Sequence, residues 1–394
     1  SNFFPFVQLE LPPTEENHFK YRQAIVDTLK ELQTLDIKNE MASGNDKLGK
    51  FYEKFLKYGN GAKEIGIVLT PRHITEFAVG VLDIKYNDYI LDPCCGTGGF
   101  LVSAFDYIRN NASAKQIDEF KKFHMFGIEQ DDEVVALALV NMIFRGDGRN
   151  NMSEGNCFHK NIEKIVKEKI ISGKFSKRGG KSPSNQIITK VLMNPPFALK
   201  KGDEKESHFI DYAISQMQPG GVLFAIIPTS VLLERSGISW RKELLKDNTL
   251  LAVITFPEDL FYPVSVGTIG IFVKIGIPHD FSKQKVYFAR AVTDGLRKKK
   301  GKRIEVKNSE NRLKAIKEEL KTFLVNQEVS FDDIPEVKKI CLLDKGDKNI
   351  ELAAEGYIDS RIPSLKEIQK GVEEMIREAV AFKIKYKEKL ERSK

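Results

Sequence analysis

Apolar positions along this chain change their period twice. Up to about residue 65 they recur every three or four residues, as in HFKYRQAIVDTLKELQTL and in DKLGKFYEKFLKYG, which ends at Gly59. That spacing predicts a small helical layer. From about residue 70 to 276, short apolar runs alternate with helical patterns. DYILD (88–92), FHMFGIE (123–129), IITKVLM (187–193), GVLFAII (221–227), LLAVITF (250–256) and IGIFVKI (269–275) read as strands. FLVSAFDYI, DDEVVALALVNMIF and HFIDYAISQM, lying between strands, read as helices. The second of these opens with acids, where the helix dipole favours them. The third sets Phe209, Ile210, Ala213, Ile214 and Met217 on one side. Strands alternating with helices predict an α/β sheet with short crossovers.

Beyond about residue 310 the pattern turns helical and charged. Leu365, Ile368, Val372, Met375, Ala379, Phe382 and Tyr386 follow at steps of three and four. Such a heptad-like seam fits a coiled-coil partner or a helix lying on the chain's own body. Two stretches carry neither period: SGKFSKRGGKSPSNQ (172–186) and the basic run RKKKGKR (297–303). Each is expected to be a solvated loop or a contact to backbone phosphates.

The remaining bulk properties narrow the field. A length of 394 residues suggests two or three domains, and 41% hydrophobic residues supply ample core. No apolar run reaches the roughly 18 residues of a membrane span, and no secretory signal is visible. The four cysteines include the vicinal Cys94 and Cys95, which cannot easily bridge, and none has metal-ligand spacing. Reduced thiols, a cytoplasmic location and no metal site are therefore expected. A net charge of +7 permits a nucleic-acid partner without demonstrating one. The first 65 residues hold no convincing nuclease constellation, so cleavage is not expected of this chain.

Two strand ends carry the candidate chemistry. In LMNPPFAL, adjacent prolines exclude an ordinary helix or central strand. Yet IITKVLM, just before them, reads as a core strand. The chemistry of an exocyclic amino group explains the break. Its lone pair is delocalised into the ring, so attack on an electrophilic methyl needs that pair localised and aimed. Two acceptors around the NH₂ do this and stabilise the positive charge that builds on nitrogen. The side-chain oxygen of Asn194 is one, and the carbonyl of Pro195 is the other, held by proline's fixed φ. Phe197 offers a face on which a base can stack. In a duplex the base must first be flipped out.

The second strand end is ILDPCCGTGGF. The strand ends at Asp92, and Gly96, Gly98 and Gly99 turn the chain so that its backbone can approach a ligand. The next helix points its N-terminus at the same spot. The pattern is neither GxGxxG nor a Gly-Lys-Ser/Thr loop, and alone it is weak. Glu129, at the tip of the following strand, is placed to accept bonds from ribose hydroxyls. Its other reading is an acid at the start of the next helix, a role Asp131 and Asp132 already fill.

Taken in order, these stretches resemble a known family. DPCCGTGGF resembles motif I, and NPPF motif IV, of S-adenosylmethionine-dependent DNA adenine methyltransferases. The pair, about a hundred residues apart and preceded by GIVLTPRHI (66–74), looks most like the modification subunits of Type I restriction–modification systems, with gamma-type motif order. Thr70 and Pro71 match the family, while Val68 replaces its aromatic. The resemblance covers roughly residues 45 to 276. It implies a doubly wound, mostly parallel methyltransferase sheet with one antiparallel edge hairpin. It also implies a helical region (1–65), a catalytic domain (66–290) and a basic helical tail (291–394) that docks a specificity subunit or leads into a fused recognition domain.

Site residues follow from the same resemblance. S-adenosylmethionine would be held by Asp92, Pro93, Gly96, Thr97 and Gly98 at its amino-acid end, and Thr70 and Pro71 would line the methionine end. Glu129 would meet the ribose. Asn156 would meet the adenine amino group, in GNCF where the family has Gly-Asp. Asn194, Pro195, Pro196 and Phe197 would be catalytic. Double-stranded DNA would be the substrate, with a specificity subunit and possibly a restriction subunit as partners. FPEDLFYPVSVGTIGIFVKI resembles motif VIII, so Phe261 or Tyr262 either faces the flipped base or fills the core. Two other readings stand: the same ledge acting on RNA or on protein glutamine, and a non-catalytic cofactor-binding scaffold, which the intact Asn194–Phe197 disfavours.

Overall fold

The structure, a computed structural model, describes residues 18–20, 22–24, 26–27, 30, 69–143, 151–175, 187–197, 202–261, 266–299, 302–306, 309–361 and 363–392. Most of the expected N-terminal helices, the greater part of the 172–186 stretch and Tyr262 lie outside these residues. From residue 69 the described chain begins with α1 (Arg72–Val81), β1 (Ile90–Asp92), α2 (Gly99–Asn111), α3 (Ala114–Phe123) and β2 (Met125–Glu129). It continues through α4 (Asp132–Ile143), β3 (Met152–Glu154), α5 (Lys160–Phe175), β4 (Ile188–Met193), α6 (Glu206–Gln216) and β5 (Met217–Pro228). Then come α7 (Ile238–Asp247), β6 (Thr249–Thr255), β7 (Thr268–Lys274), β8 (Lys285–Arg290), β9 (Leu296–Lys299) and β10 (Lys302–Glu305). The chain ends with α8 (Arg312–Val325), β11 (Lys338–Leu342) and α9 (Leu365–Arg392).

Nine strands form one sheet in the order β11-β8-β6-β7-β5-β4-β1-β2-β3. β3, β2, β1, β4 and β5 run parallel to one another. Residues alternate between two cores. Leu192, Phe224, Ile226 and Ile254 face one core with α1, α2 and α8; Val191, Met193, Leu223 and Ala225 face the other with α6 and α7. Burial on both faces is why the strands read as continuous apolar runs rather than alternating ones. Each buried aliphatic contributes about 1.5–3 kcal/mol.

The antiparallel hairpin differs from expectation. β7 is not at an edge: it runs antiparallel between β5 and β6. β6 arrives through α7 one position away from β5, and β7 folds back into the gap. β8 and β11 then extend the sheet past β6. The segment expected to be a helical tail thus also gives the sheet a strand. The basic run 297–303 is not a loop either. It lies in the β9–β10 hairpin, which pairs Lys299 with Lys302 and Lys298 with Arg303. Its connection is only two residues, a length suited to a tight hairpin.

The seam of α9 does not pack on the chain's own body where it is described: Leu365 is 80% and Met375 66% exposed, and Ile368 and Val372 are about half exposed. The side chains of Phe382 and Tyr386 lie outside the described residues. No helix among the described residues is long and apolar enough to cross a membrane.

Candidate active site

The sheet order changes direction between β1 and β4: β2 and β3 follow on one side of β1, β4 and β5 on the other. In open α/β sheets the crevice at the carboxyl ends of such strands takes the ligand. Asp92 ends β1, Glu129 ends β2 and Asn194 follows the last residue of β4, so three chemically useful groups stand on adjacent strand ends.

The turn after β1 is shaped by glycine. Gly96 has φ +53° and Gly98 φ +80°, a left-handed region that other residues enter at a cost. Gly98 is also the residue from which α2 starts. A Cβ built on Gly96 would meet nothing within 4 Å, so the space above the turn is open. The turn is braced from below. The Cys95 N–H donates to Ile128 O at 2.9 Å, and Asn141 Nδ2 donates to Thr97 O at 2.9 Å. Asn141 is buried in the apolar helix α4, a lone polar residue whose need for a partner the sequence could have signalled.

Glu129 does more than the sequence suggested. Its Oε2 accepts from the Gly96 N–H at 3.0 Å, and its Oε1 accepts from the N–H groups of Gln130 (2.8 Å) and Asp131 (3.1 Å). It therefore ties the glycine turn to the start of α4, and Asp131 caps that helix by accepting from the Val134 N–H. Asp92 is buried and accepts from the Cys94 N–H at 3.3 Å. Burial pushes its carboxyl well up from the usual range; the Cys94 N–H opposes that shift and Glu129 adds to it. Burial first, then the charge of Asp92, pushes the Cys94 and Cys95 thiols up, so neither is poised as a thiolate nucleophile. Pro93 is buried beside them.

Asn194 follows β4, the strand paired with β1. Its Nδ2 donates to Thr70 Oγ1 at 3.0 Å, and Pro71 next to Thr70 caps α1. Its Oδ1 is buried and finds no hydrogen-bond partner among the described residues. An amide oxygen left without a donor in the interior costs roughly 1–3 kcal/mol. Pro195 is buried and Pro196 exposed. Phe197 is half-buried and meets buried Phe261 edge-on, with ring centroids 5.8 Å apart at 88°. Phe261 thus fills the core and steadies Phe197. From Phe197 a cavity of about 1060 Å³ extends along α6 and α7, and Glu206, Asp211, Glu234, Glu243 and Asp247 are among the residues that line it.

Asn156 lies two residues beyond β3. Its Oδ1 accepts from the Phe158 N–H at 2.9 Å, so part of its acceptor capacity is spent on the local turn. The structure thus joins Thr70 to Asn194 and Gly96 to Glu129 through direct bonds, sets Asp92 beneath the same turn, and keeps Asn156 in a separate turn at the same sheet edge. Among the described residues no group of His, Cys, Asp and Glu could hold a metal ion.

With this geometry in place, comparison with known proteins is informative. The sequence model of the N-6 DNA Methylase family matches residues 43–344. A protein named Type II restriction enzyme and methyltransferase RM.BcgI, from Heyndrickxia coagulans, is 34% identical over 297 residues, covering 73% of this chain and 42% of that one. The Type I restriction enzyme EcoEI methylase subunit of Escherichia coli is 23% identical over 299 residues, 71% of this chain and 56% of that one. The chain spans about half the length of these curated relatives. Among solved structures, the type I restriction-modification methyltransferase subunit from Streptococcus thermophilus superposes with a TM-score of 0.63 at 19% identity, covering 89% of this chain and 70% of that one, a likeness of fold.

Proposed function

The chain belongs to the N-6 DNA Methylase family, and from that premise we propose that it methylates the N6 amino group of an adenine flipped out of DNA, as part of a restriction–modification system. The observation that carries this reading is the buried Oδ1 of Asn194, which has no donor among the described residues at the switch point of the sheet. An incoming amino group supplies that donor.

S-adenosylmethionine fits the residues present. The open space over Gly96, the positive φ angles of Gly96 and Gly98, and the two carboxyls of Asp92 and Glu129 suit a ligand bearing positive charge and hydroxyls. When bound, it supplies an electrophilic methyl on a sulfonium. The chain's own residues do the rest. Thr70, Pro71, Asp92, Pro93, Gly96, Thr97 and Gly98 bind and orient it, Glu129 has acceptor capacity left for ribose, and Asn156 lies at the adenine end. Asn194 Oδ1 and the carbonyl of Pro195 accept from the target NH₂, localise its lone pair and stabilise charge on nitrogen. Pro196 fixes the backbone of this ledge, and Phe197 stacks on the flipped base.

Partners belong to the same reading. The exposed seam of α9 suits a helix of a separate specificity subunit, or the connection to a fused recognition domain. The experiment that tests the activity supplies methyl-labelled S-adenosylmethionine with DNA, RNA and protein, specificity partner included. Label on adenine N6 of DNA is expected. Label confined to RNA or protein glutamine, or none at all, would overturn the reading.

A further inference from the structure

The β9–β10 hairpin remains without a role. Between residues 297 and 303 it carries Arg297, Lys298, Lys299, Lys300, Lys302 and Arg303. Arg303 turns inward. Its guanidinium forks onto Asp294, with Nη1 at 2.8 Å from Oδ2 and Nη2 at 2.9 Å from Oδ1, and Nη2 also donates to Asp259 Oδ1 at 3.0 Å. The Asp294 side chain is fully buried and that of Arg303 only 7% exposed. His73 Nε2 lies 2.8 Å from the same carboxylate, and the Leu296 N–H donates to it at 3.1 Å. A buried, bidentate pair is a rigid fixture, and here both guanidinium Nη atoms are bonded while Nε finds no partner among the described residues.

This root touches both walls of the site. His73 lies two residues after Pro71 and three after Thr70, the partner of Asn194. Asp259 lies two residues before Phe261, which backs Phe197. The register pairs Lys299 with Lys302 and Arg297 with Ile304, positions that alternate along the strands with the Arg303–Lys298 pair, and Arg297 and Ile304 are exposed. The hairpin stands on the α1 face of the sheet, while the acid-lined cavity follows α6 and α7 on the other. A polyanion approaching Phe197 is thus repelled along one face and attracted along the other.

We propose that the β9–β10 hairpin is a backbone clamp for duplex DNA, gripping phosphates beside the flipped adenine through Arg297, Lys299 and Lys302, with Asp294 and Arg303 as its positioning residues. The inference rests on the DNA reading above. A four-residue strand spans about 13 Å, roughly the rise of four phosphates along one strand. A base held at Phe197 remains tied to its own strand, so the clamp holds the neighbouring phosphates in fixed register with Asn194.

The test measures duplex affinity of the full-length protein as a function of salt, for the wild type and for Arg297→Gln/Lys299→Gln/Lys302→Gln. Three lost phosphate contacts should lower the slope of log K against log salt by about 2 to 3, and affinity at about 0.1 M salt should fall at least tenfold. Affinity for S-adenosylmethionine should not change. Should the triple variant fail to fold, Lys299→Gln alone, with a slope reduced by about 1, decides the same question. An unchanged slope on duplex DNA overturns the clamp, as does a change seen on RNA alone. If the wild type methylates RNA or protein but no DNA, the functional reading fails with it, and that result is distinct from a variant that binds and methylates DNA with the wild-type slope.

Discussion

Asn194 keeps one half of its amide satisfied and the other half waiting. The Nδ2 bond to Thr70 fixes the plane, and the buried oxygen has no partner among the described residues. Asn194→Ala should therefore lower the methylation rate constant by about 10²–10³-fold while leaving cofactor affinity largely in place, as single-turnover kinetics and calorimetry would report. Asp92 carries a different tension. Its carboxyl is pushed up by burial, so the folded protein holds a proton that the unfolded chain releases near pH 4. Stability without ligand then falls as pH rises from about 4 to the folded value, and stays lower beyond it. Asp92→Asn should raise the thermal midpoint of the ligand-free protein at pH 7 and weaken cofactor binding; an unchanged midpoint would contradict the burial argument. The strand-end positions of both residues were legible in the sequence, because each closes an apolar run. The bond from Gly96 to Glu129 and the Asp294–Arg303 pair were not. They join residues far apart in sequence or in surface-like charged runs, and periodicity carries no trace of them.

The glycine turn shows an element set by backbone conformation rather than crowding. A Cβ on Gly98 would sit 3.8 Å from Ala138, ordinary contact, yet φ is +80°. Gly98→Ala should cost about 1–2 kcal/mol, seen as a lower denaturant midpoint with an unchanged slope; no loss would mean that the turn relaxes. The long parallel strands were readable to within a few residues because both faces are apolar. β3, with three residues, was not, since pairing of Gly127 with Met152 holds it in place. β11 was hidden by its own charge. Lys338 reads as a solvent residue, yet it is buried, with Nζ 2.6 Å from Glu319 of α8 and 5.5 Å from the Phe331 ring centre. Likewise, the basic run, for which a solvated loop was one reading, lies on two paired strands, with Arg303 bonded to carboxylates elsewhere in the chain.

Among the described residues, the nine-stranded sheet has cores on both faces. His279 is buried without a partner for either ring nitrogen among the described residues, and burial lowers its pKa to about 4. The unfolded chain takes up this proton near pH 6.5, so stability should fall as pH drops from about 6.5 to 4. His279→Leu should flatten that segment of the urea-midpoint profile; an identical profile would exclude His279 as its source. Fold class, and the placing of the candidate residues at strand ends, were legible at this scale because motif order and strand–helix alternation agree. The far edge of the sheet was not, because β11 comes from residues separated from β8 by a hairpin and a helix. That separation has a consequence for synthesis. While the ribosome makes the roughly fifty residues between β8 and the end of β11, a window of about 3–10 s, β8 presents a row of unpaired backbone groups to any neighbouring nascent chain. A chain cut short before Lys338 should remain in that state and aggregate, as light scattering would show, whereas one ending after Leu343 should not. With β11 in place the strand beyond β8 carries Lys339 on its partly exposed side, and a lysine-bearing edge discourages a second copy from adding a tenth strand.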